Sequence, residues 1–400
     1  MTTTVKPPWF AVGRTTWLLT ACQALYFGCV SIDLTLTGVV GLHMAPTPVL
    51  ATVPLSMILL LGTLGAFVAG PLTGKIGYPA VMVSGALAGA IGGLLSVYAV
   101  VTGSFVLLCV GTGIVGLYRA TGGYIRFMAA DRAPEGQKER ALSFILAGGL
   151  VAALGGPLLA TTSIGIFATP YAGAYLAVVV LALLTIPLIV AVGGPRAAVA
   201  EDGPKPAPVP VREVAGSRDF VTAFLLLVTA AAGMTLIMAV GPIGSQESGH
   251  SAHEGASIIQ WHLVGMFAPS IFSGALMERI GRRWTAVAGC VLFVVGAVVG
   301  AAGTGFPNFL IALAANGVGW NLLFVSGSAY LIRTYPQGRG GRVQAIVEGF
   351  ASAASVLASL FASAVYTALG WTQANVPLVV LGALLTGWLV WAGNEERVKA

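Results

Sequence analysis

The chain has 400 residues, of which 57% are hydrophobic and only 8% are charged, and apolar runs of about 20 residues recur from end to end. This composition excludes a water-soluble globular protein and predicts an all-α polytopic membrane protein. The formal net charge of +6 does not indicate a nucleic-acid partner, because the basic residues follow the predicted membrane topology.

Twelve spans are predicted, with both termini in the cytoplasm. They cover 14–41, 48–70, 78–101, 104–126, 141–162 and 171–193, and then 218–241, 255–277, 284–302, 307–332, 343–367 and 374–392. All 20 Lys and Arg then fall on the cytoplasmic side or in the cytoplasmic half of a span, as the positive-inside rule requires. We expect an N-terminal six-helix bundle at 1–193, a proline-rich cytoplasmic linker at 194–217 and a C-terminal six-helix bundle at 218–400. The first span lacks a recognisable cleavage site and is expected to remain in the mature protein.

The first span carries Asp33, the only acidic residue in the interior of the first six spans. A carboxylate inside hydrocarbon is costly, so we interpret Asp33 as a proton or cation site that faces the central cavity. A hydrogen-bonded contact between helices is the alternative interpretation. His43 and Met44 follow at the outer end of the same span.

The four cysteines, Cys22, Cys29, Cys109 and Cys290, all lie inside predicted spans without CxxC spacing. We therefore expect no disulfide framework. Cys22 and Cys29 share a helix face and could pass on a soft metal, but small apolar packing residues are the preferred interpretation.

Two short cytoplasmic loops, after the second and the eighth span, share Gly, Leu, a basic residue, Ile and Gly at matching positions. The predicted gating residues are Gly70, Lys75 and Gly77 in the first loop and Gly274, Glu278, Arg279 and Gly281 in the second. The offset between them, 274 minus 70, is 204 residues, or half the chain. The two halves are therefore predicted to be copies of one six-span unit.

These loops resemble the signature G-x-L-x-D-R-x-G-R-[KR] of the major facilitator superfamily, in which the loop gates the cytoplasmic side. Glu278 stands in the acidic position of the second copy, whereas Gly74 replaces the acid in the first. The resemblance implies the superfamily's twelve-helix fold and a transport function, and no enzyme activity. A glycine-proline motif of drug and proton antiporters is partly matched in the fifth span by Gly148, Gly149, Gly155, Gly156 and Pro157.

Two further charges lie within spans. Arg119, in the cytoplasmic half of the fourth span, could bind an anionic substrate or pair with Asp33 or Glu348; its alternative role is snorkelling to the cytoplasmic headgroups. Glu348, near the cytoplasmic start of the eleventh span, is either a cavity acid or an interfacial charge.

The seventh span carries Met234-x-x-x-Met238 and the eighth carries His262-x-x-x-Met266. Residues four apart lie one above the other on one helix face, so each motif forms a two-ligand ladder. Thioether and imidazole donors without a carboxylate suit Cu(I) better than Zn or Mg. Packing by gap-filling methionines is the alternative interpretation, which the rarity of an imidazole in hydrocarbon argues against.

All four histidines lie in the outer half or outside. A metal that enters from outside would meet a possible capture series on the outer surface, formed by His43, Met44, His250 and His253.

The two ladders together resemble the CcoA-type copper importers of bacterial cytoplasmic membranes. The resemblance implies copper uptake across the inner membrane, in support of haem-copper oxidase assembly, with Met234, Met238, His262 and Met266 as ligands. Copper would be the substrate, with no prosthetic group, and a cytoplasmic copper chaperone or exporter could receive it. We expect a monomer that works by alternating access, in which Asp33 or Glu348 could couple proton movement.

Two other functions fit the same sequence. A carrier of a small organic solute, such as a vitamin or a drug, would use a polar and aromatic cavity with Arg119, Trp261, Trp320 and Asn321. A receptor or assembly factor would present His43, His250 and His253, although no loop is long enough to form a partner-binding domain.

Overall fold

The computed structural model describes residues 13–132, 138–193, 209–336 and 339–398, and every regular element within these ranges is a helix. Most of the predicted linker, 194–208, lies outside them. The α-helices are α1 Arg14–Met44, α2 Val53–Ile76, α3 Tyr78–Thr102, α4 Phe105–Gly122, α5 Tyr124–Arg132, α6 Lys138–Thr162, α7 Ala172–Val192, α8 Val211–Val214, α9 Arg218–Glu247, α10 Ala252–Phe267, α11 Ser273–Ala301, α12 Phe306–Leu331, α13 Gly341–Ala374 and α14 Val376–Val398.

Length and hydropathy identify the membrane-crossing elements. In the described ranges, 9 helices are long and apolar enough to cross a bilayer, and shorter apolar helices occupy Ala147–Thr162 and Val376–Ala392. The predicted all-helical membrane fold is confirmed. The count of twelve spans and the cytoplasmic location of both termini stay predictions.

Two departures from the predicted spans surround the Met and His ladders. α9 continues to Glu247, beyond the predicted end at residue 241. The eighth predicted span, 255–277, is not one helix: α10 ends at Phe267 and a 3₁₀ turn follows at Ala268–Ile271. Pro269 lies in that turn, and a proline ring cannot continue an α-helical hydrogen-bond ladder.

The two repeated loops contain a glycine in the same unusual backbone conformation. Gly77, between α2 and α3, has φ 83° and ψ 161°, and Gly281, inside α11, has φ 80° and ψ 156°. This region is essentially restricted to glycine. Because 281 minus 77 is again 204 residues, the backbone supports the alignment of the two halves that the sequence predicts.

Replacing Gly281 with alanine is expected to destabilise the protein by about 1–3 kcal/mol. A Cβ at Gly281 would meet no atom within 4 Å, so backbone strain is the only cost. Gly274→Ala is the matched control, since its Cβ also meets nothing and its φ is ordinary. Thermal melting of the purified variants in detergent measures the difference, and equal melting temperatures for both would contradict the strain argument.

The side chains of the second loop attach it to neighbouring helices. The Arg282 guanidinium lies 4.9 Å from the ring centre of Tyr330, and Arg283 donates to the Val390 carbonyl at 2.9 Å. Glu278 and Arg279, the predicted gating charges, are exposed, as is Lys75 in the first loop. The roles of these three charges in gating stay predictions.

The closest helix contacts define two groups that meet along three seams. α1–α7 pack mainly with one another, as do α9–α14. The groups meet where α1 contacts α9, α2 contacts α13 and α6 contacts α10. The bundle end that carries the α1–α2 turn is predicted to face outward, and it is called the outer end below.

Candidate functional site

A small cleft lies between α1, α2 and α4. Asp33 and Arg119 both line it, together with mainly apolar side chains, Cys29, Val30, Leu34, Leu55, Ile58, Leu59, Val115 and Tyr118. The structure therefore brings together two charges that the sequence singled out. Counted along their helices at 1.5 Å per residue, Asp33 is about 16 Å and Arg119 about 21 Å below the outer end.

Asp33 is 3% exposed and has a polar neighbour one helical turn away. The Thr37 hydroxyl hydrogen-bonds to its carboxylate, and the Tyr175 hydroxyl in turn donates to Thr37 Oγ1 at 3.4 Å. The positive charge of Arg119 also acts on Asp33. Asp33 Oδ1 is nevertheless buried without a hydrogen-bond partner, which is costly unless a ligand or a proton occupies it.

Arg119 is partly buried, and packing holds its stem in the cleft. A Cβ placed at Gly62 would lie 3.4 Å from Arg119 Cδ, so the stem runs along α2 where α2 has no side chain. The Tyr26 hydroxyl donates to the Arg119 carbonyl at 3.2 Å. Of the two predicted acidic partners, Asp33 shares this cleft, whereas Glu348 is an exposed residue of α13.

His262 is fully buried at the contact of α10 with α12. Its Nδ1 lies 2.8 Å from the Leu313 carbonyl oxygen of α12. A carbonyl only accepts, so Nδ1 carries the proton and Nε2 of the neutral ring holds a lone pair. Nε2 is buried without a partner.

The predicted ladders reach the same depth because α9 is longer than expected. Counted from the outer ends of α9 and α10, Met238 lies about 14 Å and His262 about 15 Å deep, while Met234 lies about 20 Å and Met266 about 21 Å deep. Met238 and Met266 belong to one packed apolar cluster, and Met234 packs against it from a partly buried position. The geometry is therefore consistent with both packing and ligation.

Asn321 lies one turn deeper along the same α10–α12 contact. Its Nδ2 donates to the Met266 carbonyl at 2.8 Å and lies 2.7 Å from Ser270 Oγ. Its Oδ1 is buried without a partner. Asn316, which sequence reasoning missed, leaves both amide atoms without partners.

The outer histidines are engaged separately. His43 lies at the end of α1, with Nδ1 2.8 Å from the Val39 carbonyl and Nε2 3.4 Å from Gln246 Nε2 of α9. His250 Nε2 lies 2.9 Å from the Thr304 carbonyl. Among the described residues, no three His, Cys, Asp or Glu side chains group as metal ligands. The capture series of His43, Met44, His250 and His253 stays a prediction, and the separate contacts of His43 and His250 do not add support to it.

Aromatic rings lie near mid-depth in both groups of helices. Phe27 of α1 meets Phe267 of α10 edge to face at 4.8 Å, at a smaller contact between the two groups of helices. Trp320 and Phe324 of α12 stack at 5.1 Å with 13° between their planes. Trp261, predicted for the cavity, is exposed, as is Phe324, and its place in the cavity stays a prediction.

A row of hydroxyls joins α2 to α13 near the outer end, and sequence reasoning missed it. We name Thr52, Ser56, Ser359 and Ser363 the outer seam. Thr52 Oγ1 lies 2.9 Å from Ser363 Oγ, Ser56 Oγ lies 3.0 Å from Ser359 Oγ, and all four residues are buried. Two Ser/Thr pairs, each spaced by four residues within an apolar span, were the available signal.

Gly38 lies at the contact of α1 with α9. A Cβ at this α1 residue would lie 3.5 Å from the Ala239 carbonyl oxygen, so α1 and α9 approach closely in their outer halves. With the hydroxyl contacts of α2 and α13, this approach holds the two groups of helices together in their outer halves.

Two groups of membrane helices that meet along their length and carry charged and aromatic side chains near mid-depth are the arrangement of a solute carrier. The model of the Major Facilitator Superfamily matches residues 223–400. The riboflavin transporter RfnT of Brucella anthropi is 32% identical over 375 residues, which cover 93% of this chain and 94% of the relative. The chain belongs to the Major Facilitator Superfamily and is a multi-pass membrane protein.

Two further comparisons agree with this assignment. The MFS-type transporter YdeG of Bacillus subtilis is 24% identical over 396 residues, which cover 95% of this chain and 92% of the relative. A crystal structure of the nucleoside transporter NupG superposes with a TM-score of 0.76 at 11% identity, over 94% of this chain and 99% of the other; this match supports the fold alone.

The predicted superfamily is thus confirmed, and with it the prediction that the chain belongs to a family of transporters. The finer resemblance to copper importers gains no support from these relatives. A riboflavin transporter among them favours the small-organic-solute alternative.

Proposed function

We propose that this protein carries riboflavin, or a neutral solute of the same chemistry, across the bacterial inner membrane. The observation that carries the proposal is the 32% identity to a riboflavin transporter along nearly the whole chain. Riboflavin combines a flat three-ring system with a hydroxylated chain, so its carrier needs aromatic surfaces and hydrogen-bonding groups that are free to receive it.

The residues of the candidate site fit this chemistry. The stacked Trp320 and Phe324 rings and the Phe27–Phe267 pair offer aromatic surfaces near mid-depth, where contact with a flat ring contributes about 0.5–1.5 kcal/mol per aromatic pair. The unpaired polar atoms of Asn316 provide both a donor and an acceptor. A site of this composition recognises a largely neutral, aromatic and hydroxylated molecule.

Copper import is a second candidate, because the unpartnered Nε2 of His262 belongs to a residue at the depth of Met238, and Met234 and Met266 lie one turn deeper. In that case copper is the substrate, Met234, Met238, His262 and Met266 hold it, and a cytoplasmic chaperone or exporter receives it. Soft thioethers with one imidazole suit Cu(I). The monomeric state and proton coupling through Asp33 or Glu348 are proposals common to both candidates.

Counterflow in proteoliposomes tests both candidates without assuming a direction of transport. Vesicles preloaded with unlabelled riboflavin are expected to accumulate radiolabelled riboflavin, whereas protein-free vesicles do not. A parallel preparation is assayed with radiolabelled copper under reducing conditions. Copper accumulation without riboflavin counterflow would overturn the riboflavin proposal and establish the copper candidate.

A further inference from the structure

The contact of α10 with α12 contains two side chains whose donors are hydrogen-bonded and whose acceptors are not. The Nδ1 proton of His262 is committed to the Leu313 carbonyl, and the amide protons of Asn321 are committed to Met266 and Ser270. What remains in each case is an acceptor, His262 Nε2 and Asn321 Oδ1, and both atoms are buried without a partner.

The backbone fixes these assignments. A carbonyl oxygen has no proton to give, so a flipped Asn321 amide would place its oxygen against the Met266 oxygen. The other tautomer of His262 would set a lone pair against the Leu313 oxygen for the same reason. Both side chains therefore present acceptors, and neither can present a donor without breaking a bond to α10 or α12.

We infer that His262 Nε2 and Asn321 Oδ1 bind O–H or N–H groups of the carried solute, so this half of the site selects a donor-rich molecule. The inference rests on the proposed function and assigns residues to it. A buried acceptor without a partner costs free energy, and a ligand that donates to it recovers that cost. The hydroxylated chain and the imide N–H of riboflavin are donors of the required kind.

Both lone pairs are enclosed in this arrangement of the helices. We therefore place ligand binding in another arrangement of the transport cycle, in which the contact of α10 with α12 is accessible. Met266, one turn below His262, lies in the packed apolar cluster that also contains Met238. Its flexible unbranched side chain can move aside for a larger ligand.

Two substitutions of His262 separate the acceptor from the rest of the ring. In His262→Asn the amide nitrogen takes the place of Nδ1 and keeps the bond to Leu313, but nothing replaces Nε2. In His262→Gln the amide oxygen can take the place of Nε2 as an acceptor, although an amide is a poor ligand for Cu(I). Riboflavin binding is measured by flavin fluorescence on purified protein, with melting temperatures to confirm that each variant is folded.

The acceptor role predicts that His262→Asn weakens riboflavin binding by about tenfold, the loss of one hydrogen bond to a buried partner. His262→Gln is expected to stay within about threefold of the parent, which corresponds to under 1 kcal/mol. Lumiflavin, which has a methyl group where riboflavin has its hydroxylated chain, shows which donor is bound. A His262→Asn effect that persists with lumiflavin assigns the imide N–H, and one that disappears assigns the chain.

The failures are distinguishable. Riboflavin binding that is unchanged in a folded His262→Asn variant would overturn the acceptor role and leave the proposed function intact. A parent protein that binds no riboflavin would overturn the proposed function and this inference with it. If both variants lose copper binding while the parent binds copper alone, His262 is a metal ligand and the inference is wrong.

Discussion

Oxidation of a Ser56→Cys, Ser359→Cys double variant is expected to abolish transport. The two hydroxyl oxygens lie 3.0 Å apart across the contact of α2 with α13, so sulfur atoms at these positions can reach bonding distance with a small adjustment. Alternating access requires the two groups of helices to part at the outer end in each cycle. A covalent bond across the outer seam prevents that step.

This experiment needs a background without native thiols, because Cys22, Cys29, Cys109 and Cys290 are all free. The single cysteine variants, treated with the same oxidant, control for modification, and a reductant is expected to restore transport in the double variant. Diamide is a suitable oxidant, since a copper catalyst would confuse the copper assay. Normal counterflow in fully cross-linked protein would show that the outer seam does not open during transport.

Much of the fold followed from the sequence because a bilayer imposes strong and local constraints. The length of each apolar run shows where a helix can cross the bilayer, and the basic residues indicate which loops are cytoplasmic. The repeat could be predicted from glycine positions for a similar reason, since Gly77 and Gly281 adopt a backbone conformation that other residues avoid. Helix ends were less predictable. The six additional residues of α9 and the break after α10 depend on contacts between helices as well as on hydropathy.

The candidate site was predicted in part. Asp33 and Arg119 could be singled out because a charge within a span is costly wherever it lies. The chemistry of His262 could not, because the function of its Nε2 depends on which carbonyl occupies Nδ1, and Leu313 is 51 residues away along the chain. The outer seam was missed for a related reason. The hydrogen-bond partner of a serine in an apolar span lies on another helix, and the sequence does not show which helix that is.

The substrate was the least predictable feature. Met-x-x-x-Met spacing is produced equally by a metal site and by two gap-filling side chains on one face. Met238 and Met266 lie in a packed cluster, which accounts for both residues without a ligand. Similarity along the whole chain carries more information about the solute than a pair of motifs does.

The charges of Asp33 and Arg119 are expected to depend on each other. Asp33→Asn leaves the guanidinium of Arg119 in the cleft without an opposing charge, and Arg119→Gln does the same to the carboxylate. The two charges act on each other within one cleft, so removing either is expected to lower the melting temperature. We expect a cost below the roughly 3–5 kcal/mol of a fully buried ion pair, because Arg119 is only partly buried. The double variant leaves no uncompensated charge, so its melting temperature is expected to return close to that of the parent.

Thermal melting and counterflow of the four proteins separate stability from transport. If the charges serve the transport cycle as well as the fold, the double variant regains its melting temperature but not its riboflavin counterflow. If the pair is purely structural, it regains both. Destabilisation that simply adds up across the two single variants would show that Asp33 and Arg119 act independently, and the cleft between α1, α2 and α4 would then hold two separate charges instead of one coupled pair.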